Sequence, residues 1–290
     1  MKILILGSKG QLGLCLQDQL VATELNVVLS SRLDNDVADF SATTKYILGI
    51  NPDVVINASA YTAVDAAEKD LQSAERINHL AVENIAKICL KIDCWLLHIS
   101  TDYVFDGLAS TPYDENHECN PQTVYGQTKL RGELAIKRVG CKHMIIRTAW
   151  IFSEYGNNFL TTMLKVGVQK KEIDIVADQV GCPTYAQDLA ISIYKILPLI
   201  ESDQINDGIY NYCGDSPCSW HEFAQLIFLE AEKLGMSGPL RIRPVLASDY
   251  ITQAVRPAYS VLNCQKIQQL PTITASDWKS AVLKALKKLI

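Results

Sequence analysis

A chain of 290 residues that is 48% apolar can bury one large core or two closely joined ones. Its formal charge of -5 argues against a general nucleic-acid binder, although helix dipoles and a few basic residues leave room for an anionic ligand. No apolar run reaches the ~18 residues of a membrane helix, so no membrane partner is expected.

The first element is residues 2–6, an apolar run that ends at Gly7 and reads as a strand. It is too short for the core of a secretory signal. Residues 11–21 place Leu12, Cys15, Leu16 and Leu20 at helical spacing. Residues 26–29 and 53–57 read as the second and third strands. Residues 70–91 form one long helical pattern, with Ala74, Ile77, Ala81, Ile85 and Ile88 along a stripe. Residues 94–99 are a further strand, Pro121 precedes a helix that carries Tyr125 and Lys129, and residues 144–147 are one more strand. Strands that alternate with helices, built from β-branched apolar runs, predict an α/β fold with a doubly wound parallel sheet.

The second half is less regular. Residues 159–168 and 187–200 read as helices, and residues 173–176 and 208–213 as strands. Ser219 with Glu222 three residues on gives a capping box that opens another helix. Residues 241–245 and the segment around Arg256-Pro257 read as loop or edge elements. No repeat or long linker divides the chain, so the second half is expected to pack on the first with a ligand between them. The nine cysteines are scattered without a Cys-x-x-Cys pair, and the five histidines do not join them at ligand spacing. That usage reads as reduced thiols of a cytoplasmic protein without a zinc site.

Gly7-Ser8-Lys9-Gly10-Gln11-Leu12-Gly13 follows the first strand and opens the first helix. Glycines at these positions allow a tight turn, a close backbone approach to a pyrophosphate, and close helix–strand packing. The helix N-terminus adds free N–H groups for phosphate. The bland reading is a structural turn. Ser31 and Arg32 end the second strand, where a carboxylate would bind a ribose 2′-hydroxyl and an Arg a 2′-phosphate, so NADPH is favoured with NADH still possible. The alternative is a solvated turn Arg. Asp39 and Phe40 are placed to meet the adenine. Ala58, Ala60 and Tyr61 follow the third strand, where small residues let a backbone lie flat on a cofactor.

Thr101 ends a parallel strand, where ligands bind in such sheets. Tyr125 and Lys129 stand four residues apart on one helix face. A phenol can hand a proton to a carbonyl oxygen, and a neighbouring ammonium should lower its pKa from about 10. Thr101 can donate a hydrogen bond to the same carbonyl, and Lys129 can also reach the nicotinamide ribose. Against this stands a surface helix with a solvated Lys129 and a structural Tyr125.

These residues make the chain resemble the extended short-chain dehydrogenase/reductases, and within them the dTDP-4-dehydrorhamnose reductase branch. The resemblance covers nearly the whole length. It rests on the glycine turn, on residues 57–68 (Asn-Ala-Ser-Ala-Tyr-Thr-Ala-Val-Asp-x-Ala-Glu), and on residues 100–107 (Ser-Thr-Asp-Tyr-Val-Phe-Asp-Gly). It continues through Tyr125-Gly126-x-x-Lys129, Arg147-Thr148-Ala149-Trp150, Gly156-Asn157-Asn158-Phe159, Asp178-Gln179-x-Gly181-x-Pro183-Thr184 and Arg256-Pro257. It implies a Rossmann-type cofactor domain over residues 1–150 and roughly 186–215, and a smaller α/β substrate domain over roughly 151–185 and 216–290. It also implies NAD(P)H-dependent reduction of dTDP-6-deoxy-L-lyxo-4-hexulose at C4, giving dTDP-L-rhamnose for cell-surface polysaccharide. Tyr125 would protonate the new alkoxide, with Thr101 assisting and Lys129 tuning. Asp102, Tyr103 and Trp150 would contact the sugar, and Asn158, Phe159 and Arg256 would hold the nucleotide diphosphate. Trp150 and Phe159 also suit plain core packing.

Some relatives form dimers bridged by magnesium through a glutamate two residues after the last glycine of the turn. Here that residue is Cys15, a poor ligand for a hard cation, so a metal-bridged homodimer is in doubt. Two other readings fit the same residues. One is a 4-ketoreductase of another nucleotide deoxysugar. The other is a non-catalytic regulatory subunit similar to that of methionine adenosyltransferase.

Overall fold

In the computed structural model, which describes residues 1–21, 23–239 and 241–290, the apolar runs of the first half lie side by side in one parallel sheet. Its strands are β1 (Lys2–Leu6), β2 (Asn26–Ser30), β3 (Val54–Asn57), β4 (Trp95–Thr101) and β5 (His143–Thr148). Between them run α1 (Gln11–Leu20), α2 (Phe40–Ile50), α3 (Val64–Ala67), α4 (Leu71–Glu75), α5 (Ala81–Ile92) and α6 (Val124–Val139). The second half begins with β6 (Ile151–Phe152), α7 (Phe159–Gln169), β7 (Glu172–Val176), β8 (Val180–Gly181) and β9 (Thr184–Tyr185). It continues through α8 (Ala186–Glu201), β10 (Gly208–Asn211), β11 (Cys218–Ser219), α9 (Trp220–Lys233), β12 (Arg241–Val245), α10 (Gln265–Gln268) and α11 (Trp278–Lys287).

The six-stranded order is β10-β5-β4-β3-β1-β2. After β2 the chain returns to the other side of β1 to make β3. That reversal leaves a crevice at the carboxyl ends of β1 and β3, the place where open α/β sheets bind ligands. Both faces of the sheet are covered, and β1 shows how. Ile3 and Ile5 join Leu16, Ile193 and Leu197 on the side of α1 and α8. Leu4 and Leu6 join Ile47, Ile85 and Ile88 on the side of α2 and α5. Successive side chains of a strand point to opposite faces, so a strand buried on both must be apolar throughout. A separate core in the second half gathers Phe152, Leu160, Ile173, Phe223 and Trp278.

Four features depart from or sharpen the reading of the sequence. The long helix expected over residues 70–91 is α4 and α5 joined by a π-helical turn at Arg76–Leu80. Asn78 sits in that turn, and its side chain accepts from Tyr61 N at 2.8 Å and donates to Tyr61 O at 3.1 Å and Thr128 Oγ1 at 3.2 Å. Helix α2 was not expected, because its β-branched and glycine-bearing sequence has little intrinsic propensity. Burial of Thr43 and Ile47 and the cap from Asp39 to Ala42 N hold it. Residues 241–245, read as loop or edge, form β12 beside β7. Helix α11 was also not expected, and Asp277 caps it.

Gly7 has φ +80°, which only glycine adopts without strain, and Gly13 lies directly beneath it. A Cβ on Gly13 would collide with the Gly7 carbonyl oxygen and come within 2.7 Å of Ser8 Cα. Gly13→Ala should therefore lower stability by about 1–3 kcal/mol, read as an earlier urea midpoint. An unchanged midpoint would show that the turn has room to relax.

Candidate active site

The turn after β1 is stitched to the end of β2, since Gly7 N and Ser8 N both donate to Ser30 O at 2.9 and 3.0 Å. Gly10 precedes α1 and no side chain caps the helix, so the first-turn N–H groups are left for a ligand. A groove of about 250 Å³ opens there, lined by Gly7, Lys9, Gly10, Arg32, Ala58 and Ala60 among others. Its chemistry fits a dinucleotide: open helix N–H groups, two cationic side chains and a flat floor of small residues.

Several expected cofactor residues have their side chains committed within the protein, which leaves their backbone N–H groups as what they can offer. Gln11 bonds across to the second half, to Ile151 O at 3.4 Å and Ser153 Oγ at 3.0 Å. Leu12 is buried, and Gly13 serves packing. Ser31 Oγ donates to Asp34 Oδ2 at 2.6 Å, which closes a turn. Asp39 caps α2, and Phe40 lies under the Arg76 guanidinium at 4.7 Å. Arg32 is exposed and pairs with Asp36 at 3.1 Å. Tyr61 is pinned through its backbone to Asn78. Lys9, Asn35 and Asp36 line the groove and were missed. Lys9 stood inside the glycine motif as a spacer, and Asn35 and Asp36 sit in a loop with no pattern.

The reacting groups sit where β4 meets α6. Thr123 caps α6 by accepting from Gly126 N at 3.0 Å. Gly126 has no Cβ to strike the Tyr103 carbonyl, so the first turn of α6 lies against the end of β4. Tyr125 is half-buried there, and its ring meets Tyr103 edge-on with centroids 5.5 Å apart. Thr101 Oγ1 donates to Asp102 Oδ1 at 3.0 Å and accepts from Tyr103 N at 3.2 Å. Asp102 is almost fully buried, and its Oδ2 has no partner. Burial raises its carboxyl to about 6.

Two expectations are corrected. Lys129 does not lower Tyr125. Its Nζ turns inward, 3.2 Å from His98 Nε2 and donating to Ile99 O at 2.6 Å. Burial pushes Tyr125 up to about 12, and the nearby Asp102 carboxylate acts in the same direction. Nor is the Thr101 proton free for a carbonyl while Asp102 is ionised, because the carboxylate takes it.

The second half supplies a cleft of about 570 Å³ beside these groups, lined by Phe159, Trp220, Tyr250 and Arg256 among others. Arg256 NH2 bonds Asp65 Oδ2 at 2.6 Å, and Asp65 also accepts from Ala254 N at 3.0 Å. The segment after β12 is thus tied to α3, which follows the floor of the cofactor groove. Trp150 has φ +48° and stacks on Trp220 with centroids 3.5 Å apart. Gly181 makes room for it, since a Cβ there would lie 2.5 Å from the indole. Asn158 is not free to hold a diphosphate. It caps α7 at Thr161 N, and its amide donates to Ser153 O at 2.9 Å and Tyr155 O at 3.0 Å.

Cys15 is buried inside the chain, and burial raises its thiol to about 12. Beside it Glu154 is paired with Lys288 at 2.6 Å and accepts from Tyr185 at 2.9 Å. Among the described residues no group of three His, Cys, Asp or Glu is placed to hold a metal, and no helix is long and apolar enough to cross a membrane.

Comparison with known proteins agrees with this geometry. The family model described as RmlD substrate binding domain matches residues 1–290. The dTDP-4-dehydrorhamnose reductase of Aggregatibacter actinomycetemcomitans is 39% identical over 97% of both chains. The solved structure of a dTDP-4-dehydrorhamnose reductase from Clostridium acetobutylicum superposes with TM-score 0.92 at 36% identity, covering 100% of this chain and 99% of that one. The Bacillus anthracis enzyme of the same name, solved in complex with NADP, gives TM-score 0.91 at 34% identity, covering 99% of this chain and 100% of that one.

Asp102 yields a test by stability. Its folded-state pKa lies above the unfolded value, 3.8 against about 6, so the folded protein holds the proton more tightly. Stability then falls as pH rises through that window, by up to about 3 kcal/mol. Asp102→Asn should be more stable than the parent at neutral pH, with the gain shrinking toward pH ~4 in urea melts. A difference independent of pH would remove the buried charge as its cause.

Proposed function

Since the chain belongs to the RmlD substrate-binding-domain family, we propose that it reduces the C4 ketone of dTDP-4-dehydro-L-rhamnose to dTDP-L-rhamnose with NADPH, in nucleotide-sugar supply for cell-surface polysaccharide. The observation that carries this reading is the position of Tyr125. It stands in the first turn of α6 with its ring against Tyr103 beyond the end of β4, and Tyr103 lines a pocket together with Arg256.

The nicotinamide supplies the hydride when bound. The chain supplies the rest. Residues 1–150 with 186–215 hold the dinucleotide, with the α1 N-terminus on the pyrophosphate and Arg32 near the adenine-side ribose. Residues 151–185 and 216–290 hold the sugar nucleotide. Arg256, fixed by Asp65, presents its fork to the diphosphate, and Phe159 and Trp220 offer apolar faces. Trp150 is braced in a strained backbone by its stack on Trp220, which sets one wall of the sugar pocket. Tyr125 gives its hydroxyl proton to the oxygen on C4 as the carbonyl becomes an alkoxide. Its high pKa keeps that proton in place until then. Thr101 donates to the same oxygen when Asp102 carries a proton: a neutral Asp102 donates to Thr101 Oγ1 and releases the Thr101 proton toward the substrate. NADH in place of NADPH fits the same groove with less use for Arg32.

Purified protein should consume NADPH when given the 4-keto sugar nucleotide, and Tyr125→Phe should lower kcat by about 10²–10⁴ with cofactor affinity kept. No consumption with either nicotinamide cofactor would contradict the reading. Undiminished turnover in the variant would take Tyr125 out of it.

A further inference from the structure

Two free thiols face each other away from the reacting groups: Cys213, just past the end of β10, and Cys264, the residue that opens α10. Their sulfurs are 3.5 Å apart, and Cys213 N donates to Cys264 Sγ at 3.2 Å. The two residues are 51 apart in sequence, so only the folded chain brings them together. A disulfide needs its sulfurs about 2.05 Å apart, which leaves roughly 1.5 Å to close. Neither residue lies inside a strand or a helix body, so side-chain rotation can close that gap without breaking a ladder.

The two sulfurs are not equivalent. Cys213 is fully buried, and its thiol has Cys182 and Cys264 beside it; these neighbours and burial hold its proton well above the usual thiol range. The carbonyls of Gly214 and Leu262 lie 3.5 and 3.6 Å from its sulfur. Cys264 is 8% exposed and stands at the start of a helix only four residues long. The pair therefore has one sulfur near the surface and one hidden behind it. Cysteines used as small apolar residues also pack in contact, and oxidation separates the two cases.

We propose that Cys264 and Cys213 are a modification site for peroxide, at which two thiols become a disulfide that ties α10 to the edge of the main sheet. The Cys264 sulfur, its proton released, attacks one peroxide oxygen. The O–O bond breaks, the other oxygen leaves as water, and Cys264 becomes a sulfenic acid. The Cys213 sulfur then attacks that of Cys264. An S–S bond forms, the S–O bond breaks, and the hydroxide leaves as water with the Cys213 proton. Two thiols are oxidised, one peroxide is reduced and two waters are released. A small dithiol reverses the change by exchange.

The bond fastens one end of a strap that reaches the cleft. Residues 256–264 run from Arg256, held by Asp65, through Tyr259 N on Gly107 O at 3.2 Å and Ser260 N on Val180 O at 2.8 Å. They continue through Asn263 N on Tyr113 O at 2.8 Å to Cys264. The loop closed from Cys213 to Cys264 encloses α9, β12 and Arg256. A crosslink over such a length restricts the unfolded chain, so the oxidised protein is the more stable form. None of this depends on which substrate the cleft takes.

The test treats reduced, unsubstituted full-length protein with hydrogen peroxide, blocks remaining thiols with N-ethylmaleimide in denaturant, and maps peptides without reduction. The expected result is a Cys213 peptide joined to a Cys264 peptide. The treated protein should melt roughly 4 °C or more above the reduced form, and dithiothreitol should abolish both changes. Cys213→Ser should leave Cys264 as a sulfenic acid that dimedone captures, and Cys182→Ser should keep the bond. Recovery of Cys213 and Cys264 as free thiols, while half-buried Cys119 is oxidised, overturns the proposal. So does a bond from Cys213 to Cys182 in place of Cys264.

Discussion

Helix α6 meets the sheet with Gly126, Thr128, Lys129, Gly132 and Glu133 turned inward along with Ala135 and Ile136, so its buried face carries two ionisable groups and a hydroxyl among its apolar residues. Such a face is tolerable only if every polar group finds a partner, because an unpaired buried charge is worth several kcal/mol of instability. The partners come from the sheet. Glu133 takes Arg147 and Ser100, Thr128 takes Asn78, and Lys129 takes His98 and Ile99 O. Gly132 lets the helix approach the Asn78 carbonyl, and Gly126 lets it approach that of Tyr103. The same contacts that make the helix fit place Tyr125 at the end of β4.

The two halves of the site are coupled through few bonds. Gln11 links the glycine turn to the segment after β5, and Asp65 links the floor of the cofactor groove to Arg256. Asp65 and Arg256 are 191 residues apart in sequence, so this link exists only in the folded chain. Arg256 in turn lowers the Asp65 carboxyl below its usual range, as a bonded ion pair should. A guanidinium held at one end by a carboxylate keeps its other N–H groups aimed into the cleft.

Much of the frame was legible because it is written in local pattern. The strand–turn–helix around Gly7, the four-residue spacing of Tyr125 and Lys129, and the apolar runs of the parallel strands need no distant partner to be read. What could not be read depends on tertiary context. His98 and Asn57 sit inside apolar strands and look like core positions. Nothing local marks His98 as facing Lys129, or Asn57 as bonded to His98. The inward turn of Lys129 follows from His98 and the Ile99 carbonyl, and burial leaves Tyr125 a weaker acid than expected. The π-helical turn at residues 76–80 breaks no hydrophobic spacing that a pattern would detect. Asn158 and Gln11 sit in motifs, yet their side chains serve the turn and the link between halves. The positive φ of Trp150 is set by Trp220 and Gly181, both distant in the chain.

The central claim is that this site delivers hydride to one face of a sugar C4 ketone while Tyr125 supplies the proton. Turnover with NADPH deuterated at the transferable position of nicotinamide C4 tests it most directly. The account predicts one deuterium per product molecule, on C4 of the deoxyhexose and nowhere else. Deuterium on another carbon, or product without label, would contradict it.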